Sequence, residues 1–211
     1  MAANGCCADP ASPHRTVLLP ANGTYTTPEI FAIDWIRVRN GVFFNGDGMR
    51  LGDWPGTYGV PIRAVADGVV VTAANDYPDI PPLMTSNPAL RKPGDFAGNN
   101  VVQRIGRRRY AVYAHMKTGS VRVRRGQRLR TGQVIGLLGN SGNTTGPHLH
   151  FGIYDGPDPL TSNSVPFQFN QFRFQGTAGP GATPNAVTLT GKPRRVRQAE
   201  PLINAVTKFS R

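Results

Sequence analysis

Cysteine is almost missing from this chain. Its only cysteines are the adjacent pair Cys6 and Cys7. Neighbouring residues cannot close a stabilising loop, so no disulfide framework holds the fold. Cys-Cys also lacks the spacer that lets two thiolates reach one ion, which argues against a thiolate zinc site shared with His14. Glutamate is as scarce. Glu29 and Glu200 are the only two, and neither stands in a His-Glu-x-x-His segment, which excludes the helical zinc-protease motif with its glutamate base. No run of roughly eighteen apolar residues occurs, which excludes a transmembrane helix. Met1 to Pro10 lacks the basic-then-apolar order of a signal peptide. The chain is therefore expected to stay where it is made or to begin downstream of an export segment. Clean helical periodicity is absent too, which leaves strands as the main element.

What is present fits that reading. The 211 residues include Gly 25 and Pro 19, a turn-rich composition that favours many short strands around one core. Strands are predicted over 31–38, 100–105, 109–116, 133–138 and 148–154. Residues 60–73 read as a strand pair turning at Asp67-Gly68, a strong hairpin signal. Residues 77–98 carry five prolines and read as a long loop of the kind that often forms a lid or a binding surface. Phe167, Phe169, Phe172 and Phe174 read as a strand packed on the core. After Gly176 the composition shifts to Gly-Thr-Ala-Gly-Pro, the mark of a linker. The expected organisation is an N-terminal extension over 1–29, a β domain over 30–175, and a flexible linker with a basic tail over 176–211.

Four histidines occur, His14, His115, His148 and His150. In a strand, side chains alternate faces, so His148 and His150 project together while Leu149 points to the core. Two parallel imidazoles suit a metal ion. A bare His-x-His also occurs on half-exposed strands with no ligand, so the pair alone does not settle the matter. Asp34 lies mid-strand between apolar neighbours, where a carboxylate must be paired or ligated. A hydrogen-bonded structural carboxylate and a metal ligand are equal readings of it.

Four segments occur in a telling order: Tyr113-Ala114-His115-Met116, Val121-Arg122-Val123-Arg124-Arg125-Gly126-Gln127, Gly132-Gln133-Val134-Ile135-Gly136, and Gly146-Pro147-His148-Leu149-His150-Phe151. With Val60-Pro61-Ile62-Arg63-Ala64 upstream, they resemble the lysostaphin-type (LytM-like) zinc metallopeptidases over about Asp34 to Tyr154. The resemblance implies a mainly β, antiparallel sheet or sandwich with a groove, few or no helices, and one zinc ion at the groove floor. It implies metal ligands at His14, Asp34 and His150 and catalytic histidines at His115 and His148. The family's upstream ligand usually sits four residues before the Asp, but Ile30 holds that place here. His14, twenty residues before Asp34, is then the ligand, at a loop-closure cost that grows only logarithmically with length. The resemblance implies hydrolysis of peptidoglycan cross-bridges and an extracytoplasmic location. A module of the same fold that binds the wall or activates another hydrolase is the alternative.

The charge is lopsided, at +12 net. Ten cations fall between Arg104 and Arg130. Any one of them reads as a solvated surface residue, but the excess fits an anionic wall polymer or membrane surface. Nucleic acid is not the expected partner, because no aromatic ladder or recognised binding module accompanies the arginines. A lipoyl- or biotinyl-type carrier would need a lysine in a hairpin turn, and the expected turn holds none.

Overall fold

A computed structural model describes residues 1–5, 12–21, 23–84 and 87–209. Cys6 and Cys7 lie outside the described residues, so the reading of that pair stays untouched. The regular structure is β: no described helix exceeds the four residues of the 3-10 turn Pro13–Thr16. The strands are β1 (Ala2–Ala3), β2 (Leu19–Ala21), β3 (Thr24–Thr26), β4 (Ile33–Trp35), β5 (Pro61–Arg63), β6 (Gly68–Ala74), β7 (Asn99–Gly106) and β8 (Arg109–Met116). They continue as β9 (Arg128–Leu129), β10 (Val134–Leu137), β11 (Leu149–Tyr154), β12 (Ser164–Val165), β13 (Phe169–Pro180), β14 (Val187–Thr190), β15 (Arg194–Ala199) and β16 (Ala205–Lys208).

The main sheet runs β1-β4-β11-β8-β7-β6-β9, with β12 beside β11, and its pairings are antiparallel. Four of the predicted strands recur nearly as read, as β7, β8, β10 and β11, and the one expected over 31–38 shortens to β4. Their inward side chains make the core: Val101, Ala111, Tyr113, Phe151 and Ile153 pack with Ile62, Val70, Met116, Leu129, Ile135 and Leu138. Burying each such aliphatic or aromatic side chain contributes about 1.5–3 kcal/mol. Leu149 packs against this cluster as its place in the strand requires. An apolar cavity of about 880 Å³ lies between this core, β5 and β13, lined by Trp35, Leu149, Phe151 and Phe169. Trp35, Leu149 and Phe151 alternate with Asp34 and His150 along β4 and β11, so the cavity lies on the opposite face from the histidines.

Three expectations are corrected. The hairpin over 60–73 is not formed: β5 pairs with β10, while β6 pairs with β7 and β9. Asp67 does not make a tight turn with Gly68. Its carboxylate accepts hydrogen bonds from the Thr131 amide (2.7 Å) and hydroxyl (2.8 Å), tying two loops together. Gly68 answers a different need, because a Cβ there would run into the Arg104 carbonyl of the neighbouring strand. The linker and tail expected over 176–211 are likewise replaced by structure. β13 crosses the boundary unbroken and pairs with β14, β15 and β16 in a second, four-stranded sheet. The Gly and Pro content misled because β13 is long enough to template its neighbours, and Val187-Thr188-Leu189-Thr190 is itself good strand sequence. The basic stretch Arg194-Arg195-Val196-Arg197 lies in β15 rather than in a tail. At the N-terminus, β1 adds to the main sheet through β4, so residues 2–3 are part of that sheet rather than outside it.

The long loop over 77–98 is tied down at several points. Tyr77 donates its hydroxyl to Asp95 (2.9 Å), and Asp95 in turn accepts the amides of Arg91 and Lys92. The amides of Ile80 and Leu83 bond to the carbonyls of Asn140 and Thr145, and the Asn87 side chain bonds to the Gly142 carbonyl. The loop therefore buttresses the turn that leads into His148. Gly98 and Gly142 meet there back to back, both with positive φ (+57° and +81°), and a Cβ on Gly98 would lie 2.5 Å from the Ser141 carbonyl oxygen. Only glycine fits at such an approach.

Candidate metal centre

Antiparallel pairing of β4 with β11 sets His150 directly opposite Asp34, and pairing of β11 with β8 sets His150 opposite Ala114, one residue before His115. The 3-10 turn Pro13–Thr16 brings His14 to the same place from the N-terminal side. All five predicted site residues therefore meet. Asp34 is their hub. Its Oδ1 lies 2.9 Å from His150 Nδ1 and 3.4 Å from His148 Nε2. Its Oδ2 lies 3.1 Å from His14 Nε2 and accepts a hydrogen bond from Asn4 Nδ2 at 2.9 Å. Asp34, His14 and His115 are buried, with residue exposures of 7%, 5% and 6%.

Each imidazole is pinned through the nitrogen that faces away from the hub. His14 Nδ1 donates to the Ala32 carbonyl (3.1 Å) and His148 Nδ1 to the Gly146 carbonyl (2.8 Å). His115 Nδ1 donates to the Ser141 carbonyl (2.8 Å). His150 Nε2 lies 3.0 Å from the Tyr154 hydroxyl. Such outward bonds fix which nitrogen faces the hub: a charged ring donates that proton to Asp34, and a neutral ring keeps its outward proton and offers the inward lone pair. His115 is held further by its backbone, at φ +59°, a conformation that costs a non-glycine residue about 1–3 kcal/mol. Bonds from the His115 amide to Ala97 and from Gly139 to the His115 carbonyl maintain it. Its ring comes within 4.6 Å, centre to centre, of the His148 ring.

The electrostatics follow from this packing. Burial opposes the charge on Asp34, but the positive charge of His148 and hydrogen bonds from His14, His148 and His150 hold its carboxyl well below the usual range. Burial opposes charging His14 and His148, yet Asp34 raises both. His115 goes the other way: burial, then the charges of His148 and His150, push it well below the ordinary histidine value. It is therefore a neutral imidazole at neutral pH.

His14, Asp34 and His150 offer ligand atoms that all lie within 4.8 Å of one another. Two bonds of about 2 Å to one ion hold ligand atoms roughly 3–4 Å apart, and two imidazoles with one carboxylate suit zinc, so the residues fit the ion. His115 and His148 stand beside this trio without belonging to it. The strand patterns alone did not point to three further residues. Asn4 gave no signal. Glu29, set aside for want of a motif, reaches within 3.9 Å of His14 Nε2 and lines a small cavity of about 50 Å³ with His115, His150, Tyr154 and Phe96. Tyr154 was legible in principle, because alternation along β11 puts it on the same face as His150.

A sequence model described as "Peptidase family M23" matches residues 49–162, just over half of the chain, taking in His115, His148 and His150 but neither His14 nor Asp34. Peptidoglycan DD-endopeptidase ShyA of Vibrio cholerae is 37% identical over 93 residues, which are 44% of this chain and 17% of that protein. DD-carboxypeptidase/endopeptidase Mpg of Neisseria meningitidis is 32% identical over 113 residues, 54% of this chain and 21% of that protein. The match thus spans about a fifth of the length of these curated relatives. Among solved structures, the catalytic domain of the peptidase lysostaphin from Staphylococcus simulans aligns with a TM-score of 0.40 and 19% identity, over 69% of this chain and 80% of that one.

Proposed function

The chain belongs to peptidase family M23, and from that premise we propose that it is a zinc metalloendopeptidase that hydrolyses the peptide cross-bridges of bacterial peptidoglycan. The observation that carries the proposal is the position of His14. Although it lies far from Asp34 in sequence, its Nε2 stands 3.1 Å from the Asp34 carboxylate and completes the trio with His150. Three protein ligands leave a fourth position open, the arrangement of a catalytic rather than a structural site.

In this reading His14, Asp34 and His150 hold the ion. The zinc, when bound, supplies an acidified water and polarises the scissile carbonyl. The remaining work falls to the chain. His115, kept neutral by burial, accepts a proton as general base. His148, raised by Asp34, keeps its charge more readily and donates a hydrogen bond to the oxyanion of the tetrahedral intermediate. Their rings lie side by side, tilted by 56°, at the edge of the trio, so proton acceptance and oxyanion support are provided from one side. The exposed arginines Arg122, Arg124 and Arg125 provide attraction to anionic wall polymers or a membrane surface, and an extracytoplasmic location accords with that substrate.

The test is zinc content on the purified protein together with digestion of defined peptidoglycans, followed by analysis of the released muropeptides. Zinc-dependent release of cross-link cleavage products is the expected result. Zinc binding without any release would favour a wall-binding module, and absence of zinc would overturn the proposal.

A further inference from the structure

Tyr154 has no place in the ligand trio, yet its hydroxyl is the outward partner of His150. The reach itself calls for explanation. Residues 150 and 154 are four apart on β11, so their Cα atoms stand about 13 Å from each other at roughly 3.3 Å per residue. An upright tyrosine in a strand does not cover that span. The ring must lie back along the strand, over the residue between them on the same face. That residue is Gly152. A Cβ on Gly152 would stand 2.9 Å from Tyr154 Cε2 and 3.3 Å from the Ala32 side chain. The missing side chain is the space that the ring occupies. Gly152 has an ordinary strand backbone, so conformation does not demand glycine there; room for the tyrosine does.

We propose that Tyr154, laid over Gly152, is a positioning residue that accepts the Nε2 proton of His150 and so presents Nδ1 to the metal. This rests on the proposed zinc site. The other two ligands are oriented by fixed partners, His14 by the Ala32 carbonyl that accepts from it and Asp34 by the Asn4 amide that donates to it. His150 points its Nδ1 inward, the reverse of His14, and its outward nitrogen meets the Tyr154 hydroxyl where His14 has a backbone carbonyl. Tyr154 is 1% exposed, so water does not substitute readily for its hydroxyl. Burial, with the charges of Glu29 and Asp34, pushes its ionisation upward, and the phenol stays a neutral acceptor. Removing the hydroxyl leaves a buried imidazole N–H without a partner and frees the ring to adopt the other tautomer.

The experiment is a zinc titration against a chromophoric chelator on wild type, Tyr154→Phe and Gly152→Ala, with thermal melts of the metal-free proteins as the control for folding. Outward partners of metal-bound histidines are worth about 10–100-fold in affinity. Tyr154→Phe should weaken zinc by that order with little change in the metal-free melt. Gly152→Ala keeps the hydroxyl but displaces the ring and should weaken zinc in the same direction. On zinc-loaded samples, the His150 Nε2 proton should give a slowly exchanging NMR signal in wild type that is lost in Tyr154→Phe. Equal zinc affinity and an unchanged His150 signal in both variants would overturn the inference, whatever happens to turnover. A wild type that binds no zinc would instead overturn the proposed function from which the inference starts.

Discussion

At the scale of single residues, the site is a carboxylate ringed by imidazoles, and each imidazole's role follows from which nitrogen is held and what lies beside it. His150 faces Asp34 at 2.9 Å, whereas His115 stands outside the trio. Replacing His150 by Ala should therefore abolish zinc binding. Replacing His115 or His148 by Ala should leave zinc stoichiometry near one and lower turnover by about 10²–10⁴-fold, the range for a lost general base or oxyanion donor. Metal analysis beside hydrolysis of a cross-bridge peptide separates the two classes; equal zinc loss in all three variants would show the roles are misassigned. Asp34, His148 and His150 were legible because strand alternation and a family motif coincide on them. His14 was legible only through the resemblance, its sequence neighbourhood carrying no metal spacing. Asn4 was not legible at all, because an asparagine near a chain terminus acquires meaning only once β1 pairs with β4.

At the scale of elements, the site depends on how tightly the turn before β11 is held. Gly98 and Gly142 let the end of the long loop press against that turn, and Ser141 links it to β7 through the Asn99 amide. Gly98→Ala forces a Cβ against backbone and a residue into positive φ. It should lower stability by about 1–3 kcal/mol, the usual cost of overpacking, and reduce turnover by displacing His148. Denaturant unfolding and peptide hydrolysis read the two effects; a variant with wild-type stability would contradict this account of the turn. The strands themselves were legible where apolar and polar residues alternate, as in β8 and β11. The pairing of β5 and β6 was not, because Asp-Gly signals a turn and says nothing of which strands it joins. The second sheet escaped notice because the glycines and proline that end β13 resemble a linker, while the strands that order them, β14 and β16, come later in sequence.

At the scale of the whole molecule, one buried carboxyl gives stability its own dependence on pH. Glu200 lies between β15 and β16 in sequence with its Oε1 buried and without a hydrogen-bond partner among the described residues, and burial pushes its carboxyl up to about 7. The folded state thus holds a proton that the unfolded chain releases near 4.5. Between those values the folded state binds more protons, so stability falls as pH rises from about 4.5 to about 7. Melting temperatures of wild type should drop over that window by more than those of Glu200→Gln, which lacks the titration; parallel curves would contradict the assignment. Charge acts differently on the outer surface. Val123 is buried while Arg122 and Arg124 are exposed, so the alternation read from sequence survives although the segment is not a strand. Exposed charges are screened beyond about 8 Å at physiological salt. Sedimentation with isolated walls should weaken as salt rises, and more so than hydrolysis of a small peptide; binding insensitive to salt would remove the basic face as a docking surface.

The central claim is that one zinc ion is held by His14, Asp34 and His150, and zinc K-edge X-ray absorption tests it most directly. Nitrogen and oxygen ligands lie about 2.0–2.2 Å from zinc and thiolate sulfur about 2.3 Å, so the method distinguishes this centre from one built on Cys6 and Cys7. The account predicts one zinc per chain with a shell of nitrogen and oxygen and no sulfur, and loss of that ordered shell in His14→Ala. A sulfur shell in wild type, or an unchanged spectrum and full zinc content in His14→Ala, would contradict it.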